Sequence, residues 1–242
     1  MAEFQTSQEE SFELLQSGKY SDFVLTCNGV EWNLHRAVVC IKSPVIAAAL
    51  DGLFVEATLG RISSDFDVAT MARLVQFLYV GDYSSCPLWA GTWPSLEVLW
   101  DEVMQNQLQD SGLPPSRSLE AEIGLNIAAD YYRIPALSAL TSSRVEDLLN
   151  RHWNAAIFPA ILKNAEDSVA DKGLWQVMID GAATHMDSLT KTREFHEVGW
   201  KHGTYVQIFC AYVRMAEAEG RDREMSSIHT DEQQHSGIHV LI

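Results

Sequence analysis

Few residues in this chain have types and spacings that could do chemistry. His235 and His239 stand four apart, the helical separation at which two imidazoles can share a metal ion. No cysteine or further fixed ligand accompanies them, so a solvated helix face is the plainer reading and no metal site is expected. Asp101 and Glu102 are adjacent carboxylates, but adjacent residues on a helix point apart and make a poor acid–base couple. His35 has no nucleophile or carboxylate at a spacing that suggests a triad. The motifs G-x-x-x-x-G-K-[ST], G-x-G-x-x-G and G-x-S-x-G are absent. Cys27, Cys40, Cys86 and Cys210 form no C-x-x-C pair and read as small core hydrophobes in a reducing compartment. An enzyme is therefore not expected, and neither is a cofactor. What the remaining polar and aromatic side chains do depends on the elements that hold them.

Those elements begin with Ser7-x-x-Glu10, a capping-box pattern that predicts a helix over 8–17, ended by Gly18. Phe23-Val24-Leu25-Thr26-Cys27 and Val30-Glu31-Trp32-Asn33-Leu34 flank Asn28-Gly29, whose residues both tolerate positive φ, so 23–34 is predicted to be a β-hairpin. A helix over 35–41 follows. Ser43-Pro44 starts another over 44–51, closed by Gly52. Phe54 and Glu56 are expected in the loop after it. Arg61-Ile62-Ser63 suits a third short strand. Asp67 caps a helix to Tyr79 with Val68, Met71, Leu74, Val75 and Leu78 on one face, and Gly81 ends it.

Residues 84–118 read as an insertion. They are rich in proline and glycine, hold Trp89, Trp93 and Trp100, and contain an amphipathic stretch predicted to be helical over 94–109. The three tryptophans either anchor a client or seal a helix on a core. From 84 to 122 six acids face one base, Arg117. Helical periodicity returns over 118–150, restarting at Pro135. It continues in stretches over 155–164, 173–185 and 209–219, with no strand pattern after 150. The tail over 221–242 is polar.

The chain has 242 residues, 33 acids against 17 bases and a net charge of −16. That balance argues against direct nucleic-acid binding and against a polybasic membrane contact. No apolar run is long enough to span a bilayer, and the first residues lack the basic and apolar stretches of a signal peptide.

The run Tyr20-Ser21-Asp22-Phe23-Val24-Leu25, the hairpin, Leu34-His35-Arg36-Ala37-Val38-Val39, Lys42-Ser43-Pro44-Val45-Ile46 and Phe77-Leu78-Tyr79-Val80-Gly81-Asp82-Tyr83 together resemble the BTB/POZ domain, in the style of fungal members. The likeness is close over 20–83 and looser over 119–145. Cys40 and Ile46 depart from the usual residues, and the insertion is not standard. The resemblance implies an α+β fold, a BTB/POZ domain over 1–147 and an all-helical extension. That extension, 148–220, resembles the BACK-type region of ligase adaptors. It also implies a protein–protein interaction module acting in the cytoplasm or nucleus. Its expected role is that of a substrate-recruiting adaptor for a cullin-type ubiquitin ligase, the alternative being a self-associating scaffold or nuclear regulator that meets no cullin. By the same resemblance Asp22, His35 and Arg36 fall near a homodimer face or partner pocket, where the Asp22 carboxylate and Arg36 guanidinium are expected to pair. Phe54 and Glu56 fall where such adaptors touch the cullin.

Overall fold

The structure, a computed structural model, describes residues 2–83 and 115–236. Contacts divide the chain into two compact units, Met1–His152 with Asp167–Trp175, and Trp153–Glu166 with Gln176–Ile242.

The first unit is built on a three-stranded sheet of order β2-β1-β3, with β1 at Phe23–Cys27, β2 at Val30–Leu34 and β3 at Arg61–Ser64. Asn28 and Gly29 both take positive φ, 47° and 83°, which closes the β1–β2 hairpin tightly. Antiparallel pairing sets Phe23 opposite Leu34, Leu25 opposite Trp32 and Cys27 opposite Val30, and all six are buried. Between them Glu31 and Asn33 are exposed, so the sheet is apolar on one face only. β3 joins β1 in parallel, Leu25 against Ile62.

Among the described residues this unit holds the helices α1 (Ala2–Ser17), α2 (Arg36–Lys42), α3 (Pro44–Asp51), α4 (Val55–Leu59), α5 (Val68–Val80), α6 (Pro115–Tyr131) and α7 (Pro135–Arg151). α5 is the core helix. Every residue from Val68 to Tyr79 is buried, as a helix packed on all sides requires. Asp67 caps it by accepting the Thr70 N–H at 2.9 Å, and Gly81 ends it at φ 80°. Ser43 accepts the Ile46 N–H at 3.3 Å to cap α3 and donates its hydroxyl to the Tyr132 carbonyl at 2.7 Å.

In the second unit, α8 spans Phe158–Ala165, α9 spans Lys172–Thr184 with its residues up to Trp175 grouped with the first unit, and α10 (Met186–Leu189), α11 (Arg193–Glu197) and α12 (His202–Ser236) follow. Trp153 stacks on His185 with ring centroids 4.1 Å apart and donates Nε1–H to Ser188 Oγ at 3.0 Å. The Glu166 carboxylate accepts from Lys163 Nζ at 2.6 Å and from the Lys201 N–H at 3.2 Å. Burial alone would raise its pKa, but these donors and Thr204 together hold it below the ordinary carboxylate value.

The expected α+β class stands, and among the described residues no strand follows Ser64. Several boundaries move. α1 starts at Ala2, so Ser7 lies inside the helix instead of capping it, because the residues before it are mostly good helix formers. The stretch after Gly52 is not a plain loop but contains α4. α8 begins at Phe158, after Asn154 Oδ1 accepts the N–H groups of Ala156 and Ile157 and turns the chain first. α12 starts at His202, earlier than expected, and runs through Gly220 to Ser236, since a helix carries one interior glycine for about 1 kcal/mol. The stretch over 94–109, with Trp89, Trp93 and Trp100, lies outside the described residues, as do His239 and the side chain of His235. Among the described residues no helix is long and apolar enough to cross a membrane.

Candidate functional site

α2 begins where β2 ends, at His35, whose own side chain does not cap the helix. Two other side chains serve its first amides. The Asp22 carboxylate, in the turn before β1, accepts the Arg36 N–H at 2.8 Å. The Tyr79 hydroxyl, from buried α5, accepts the His35 N–H at 2.9 Å. His35 itself is 6% exposed. Its Nε2 lies 2.7 Å from the Lys19 carbonyl, which can only accept, so Nε2 carries the proton and Nδ1 accepts from the Tyr79 hydroxyl at 2.7 Å. Burial raises the Tyr79 phenol well above its ordinary pKa, which keeps that donor protonated. With both ring nitrogens engaged, His35 acts as a brace between the α1–β1 turn, β2 and α5.

The expected Asp22–Arg36 side-chain pair does not form. Asp22 is spent on the helix amide, and the Arg36 guanidinium turns to the far end of α3. There it donates to the Leu50 carbonyl and pairs with Asp51 Oδ1 at 2.7 Å. α3 has no basic residue in its own last turn, so Arg36 supplies the cation that its C-terminal carbonyls favour. Asp22, Arg36 and the stretch holding Phe54 are thus linked through the end of α3.

Past that end, Gly52 makes the return possible by its size. A Cβ there would stand 2.7 Å from the Ala48 carbonyl oxygen and 2.9 Å from the Phe54 ring. Phe54 is the N-cap of α4 in extended conformation, and Glu56 lies in its first turn. Phe54, Glu56, Pro44, Val45, Ala48, Ala49 and Arg133 line a groove of about 370 Å³. Phe54 is 63% exposed, and Leu53, Val55 and Leu59 beside it are also exposed. Four neighbouring apolar side chains left in water are costly unless something covers them. Arg133, held at φ 53° after α6, brings a cation to the same groove.

A second polar cluster was not legible in the sequence. The Tyr83 hydroxyl donates to Glu122 of α6. Arg144 of α7 lies 3.9 Å over the Tyr83 ring, bonds the Tyr83 carbonyl at 3.0 Å and pairs with Asp82 at 2.7 Å. Burial raises the Glu122 pKa despite the opposing influence of Tyr83, Arg144 and Arg73. The cluster ties together the chain on both sides of 84–114. Glu122 was visible beforehand only as one of six acids, with nothing to single it out.

Nothing in these arrangements forms a reacting pair. Burial pushes the Cys27 thiol up to about 11, and it donates to the Phe66 carbonyl at 2.9 Å. Among the described residues no group of three or more His, Cys, Asp or Glu could hold a metal ion.

The first unit thus has an exposed apolar groove, a one-faced sheet and a buried core helix, and no reacting pair among the described residues. The family model of the BTB/POZ domain matches residues 12–95, so the chain carries a BTB/POZ domain, of a family whose members mediate protein–protein contacts.

Proposed function

We propose that the chain is a substrate-recruiting adaptor for a cullin-type ubiquitin ligase, acting in the cytoplasm or nucleus, and that the groove around Phe54 is its cullin contact. The observation that carries this is a large aromatic ring left 63% exposed at a groove floored by α3, with Glu56 two residues on. A docking helix that covered the ring would gain about 2 kcal/mol from its area. Glu56 and Arg133, of opposite sign on one groove, would fix the register of an incoming polar partner more than they add affinity. The helices after 150 would serve as a BACK-like extension, as in adaptors of fungal type. The test is a pull-down of a cullin N-terminal domain with the Phe54→Ala/Glu56→Ala double variant. Loss of cullin with an unchanged melting temperature supports the reading. Capture by the double variant equal to the parent's, or no capture by the parent, overturns it.

Self-association without a cullin is a second reading, favoured by a separate observation. Tyr20, two residues before Asp22, is 88% exposed, and Ile41 of α2 is 84% exposed. A homodimer through the α1–β1 turn and the length of α2 would cover them. Light scattering of the Tyr20→Glu/Ile41→Glu variant against the parent tests it, a parent that is monomeric at tens of micromolar counting against it.

A further inference from the structure

Three helices of the first unit are followed by a glycine at positive φ: Gly18 after α1, Gly60 after α4 and Gly81 after α5, at 58°, 59° and 80°. α6 ends in the same kind of turn, but the residue at positive φ is Arg133, at 53°. There the Ile134 N–H donates to the Ala129 carbonyl at 2.8 Å, and the Arg133 N–H donates to the Asp130 carbonyl at 3.0 Å. That pair of bonds makes the helix-ending turn whose left-handed position glycine fills most readily. An arginine holds its backbone there against the crowding of its own Cβ. Of the four positions, 133 is the one on the groove around Phe54. The Arg133 side chain is exposed and has no hydrogen-bond or ion-pair partner among the described residues. The same holds for the Glu56 side chain, the other charge on that groove, so the two do not neutralise each other.

We infer that Arg133 binds a carboxylate of the segment that docks in this groove. The occupant is then an apolar segment with an aspartate or glutamate opposite Arg133 and a basic side chain opposite Glu56. This rests on reading the groove as the cullin contact, and it names the chemistry that the contact selects. Backbone strain persists where a site uses the residue that bears it, and the guanidinium makes no bond within the described fold that would offset the strain. Its planar fork matches a carboxylate with two parallel hydrogen bonds. The chain as a whole carries −16 and repels an acidic segment, so an unpaired cation on an apolar groove marks where one can seat. Glu56 adds a rejection. A segment docked in the reverse direction would set its carboxylate against that of Glu56.

The experiment titrates a cullin N-terminal domain into the full chain and into Arg133→Gly, Arg133→Lys and Arg133→Glu, by calorimetry, with melting temperatures taken in parallel. Arg133→Gly relaxes the backbone and should melt at or above the parent's temperature. It should nevertheless bind about tenfold more weakly, because the partner's carboxylate is then covered without a counter-charge. Arg133→Lys keeps the charge without the fork and should fall between the two. Arg133→Glu should bind more weakly than Arg133→Gly, since a like charge then faces the carboxylate. If Arg133→Gly binds as the parent does while Phe54→Ala/Glu56→Ala does not bind, the inference is overturned and the cullin contact stands. An Arg133→Gly chain that melts below the parent also overturns it, because the arginine then serves the fold. No binding by the parent overturns both readings.

Discussion

The Asp22 carboxylate accepts the main-chain N–H of Arg36 at 2.8 Å, while the Arg36 side chain points away to Asp51. The two residues meet without their charges pairing, so each contributes separately. Asp22→Ala removes a helix-capping acceptor and is expected to cost about 1 kcal/mol. Arg36→Ala loses a largely exposed ion pair and one bond to the Leu50 carbonyl, again about 1 kcal/mol. Because the amide bond survives in Arg36→Ala, the double variant should be additive to within about 0.5 kcal/mol in urea denaturation. A coupling of about 2 kcal/mol would show that the side chains pair after all.

Tyr79→Phe deletes one oxygen and leaves two buried groups of His35, its N–H and Nδ1, without a partner. That is expected to cost about 2–3 kcal/mol while leaving the hydrophobic packing of α5 unchanged. Equilibrium unfolding followed by tryptophan fluorescence checks it. A loss below about 0.5 kcal/mol would mean that water replaces the hydroxyl.

Gly52→Ala places a methyl group against the Ala48 carbonyl and the Phe54 ring. The glycine has an ordinary negative φ of −81°, so the effect is one of space and not of backbone strain. Crowding of this kind costs about 1–2 kcal/mol. The ring must move, and amide resonances of residues 53 to 56 should shift while those of β1 and β2 stay in place.

Glu122 gives the first unit a pH dependence. Burial raises its pKa in the folded chain above the ordinary 4.5, so the fold binds its proton more tightly than the unfolded chain does. Its contribution to stability is full below 4.5 and declines as pH rises through the raised value. Glu122→Gln keeps an acceptor for Tyr83 and carries no charge. Melting temperatures of the parent and of Glu122→Gln, taken from pH 4 upward, should therefore diverge as pH rises, the variant losing less. Parallel curves would show that Glu122 does not titrate across that window.

Local chemistry alone determined much of the first unit. Asn28-Gly29 between alternating runs specifies the hairpin because both residues accept positive φ, and Asp67, Ser43, Pro44 and Gly81 mark helix ends because their preferences act within one turn. The order of these motifs also led to the BTB/POZ domain. What the tertiary structure decided are matters between residues far apart in sequence. Arg36 could meet any acid nearby, and only the position of α3 directs it to Asp51 in place of Asp22. Tyr83, Glu122 and Arg144 come together because α6 and α7 pack beside the end of α5, an arrangement with no trace in the spacing of their residue types. The side of α12 that packs was likewise hidden, since apolar residues all round the stretch from Thr204 to Val213 erase the amphipathic period by which a helix face is recognised. That Thr204, Ile208 and Ala211 are the buried ones is a property of the folded chain.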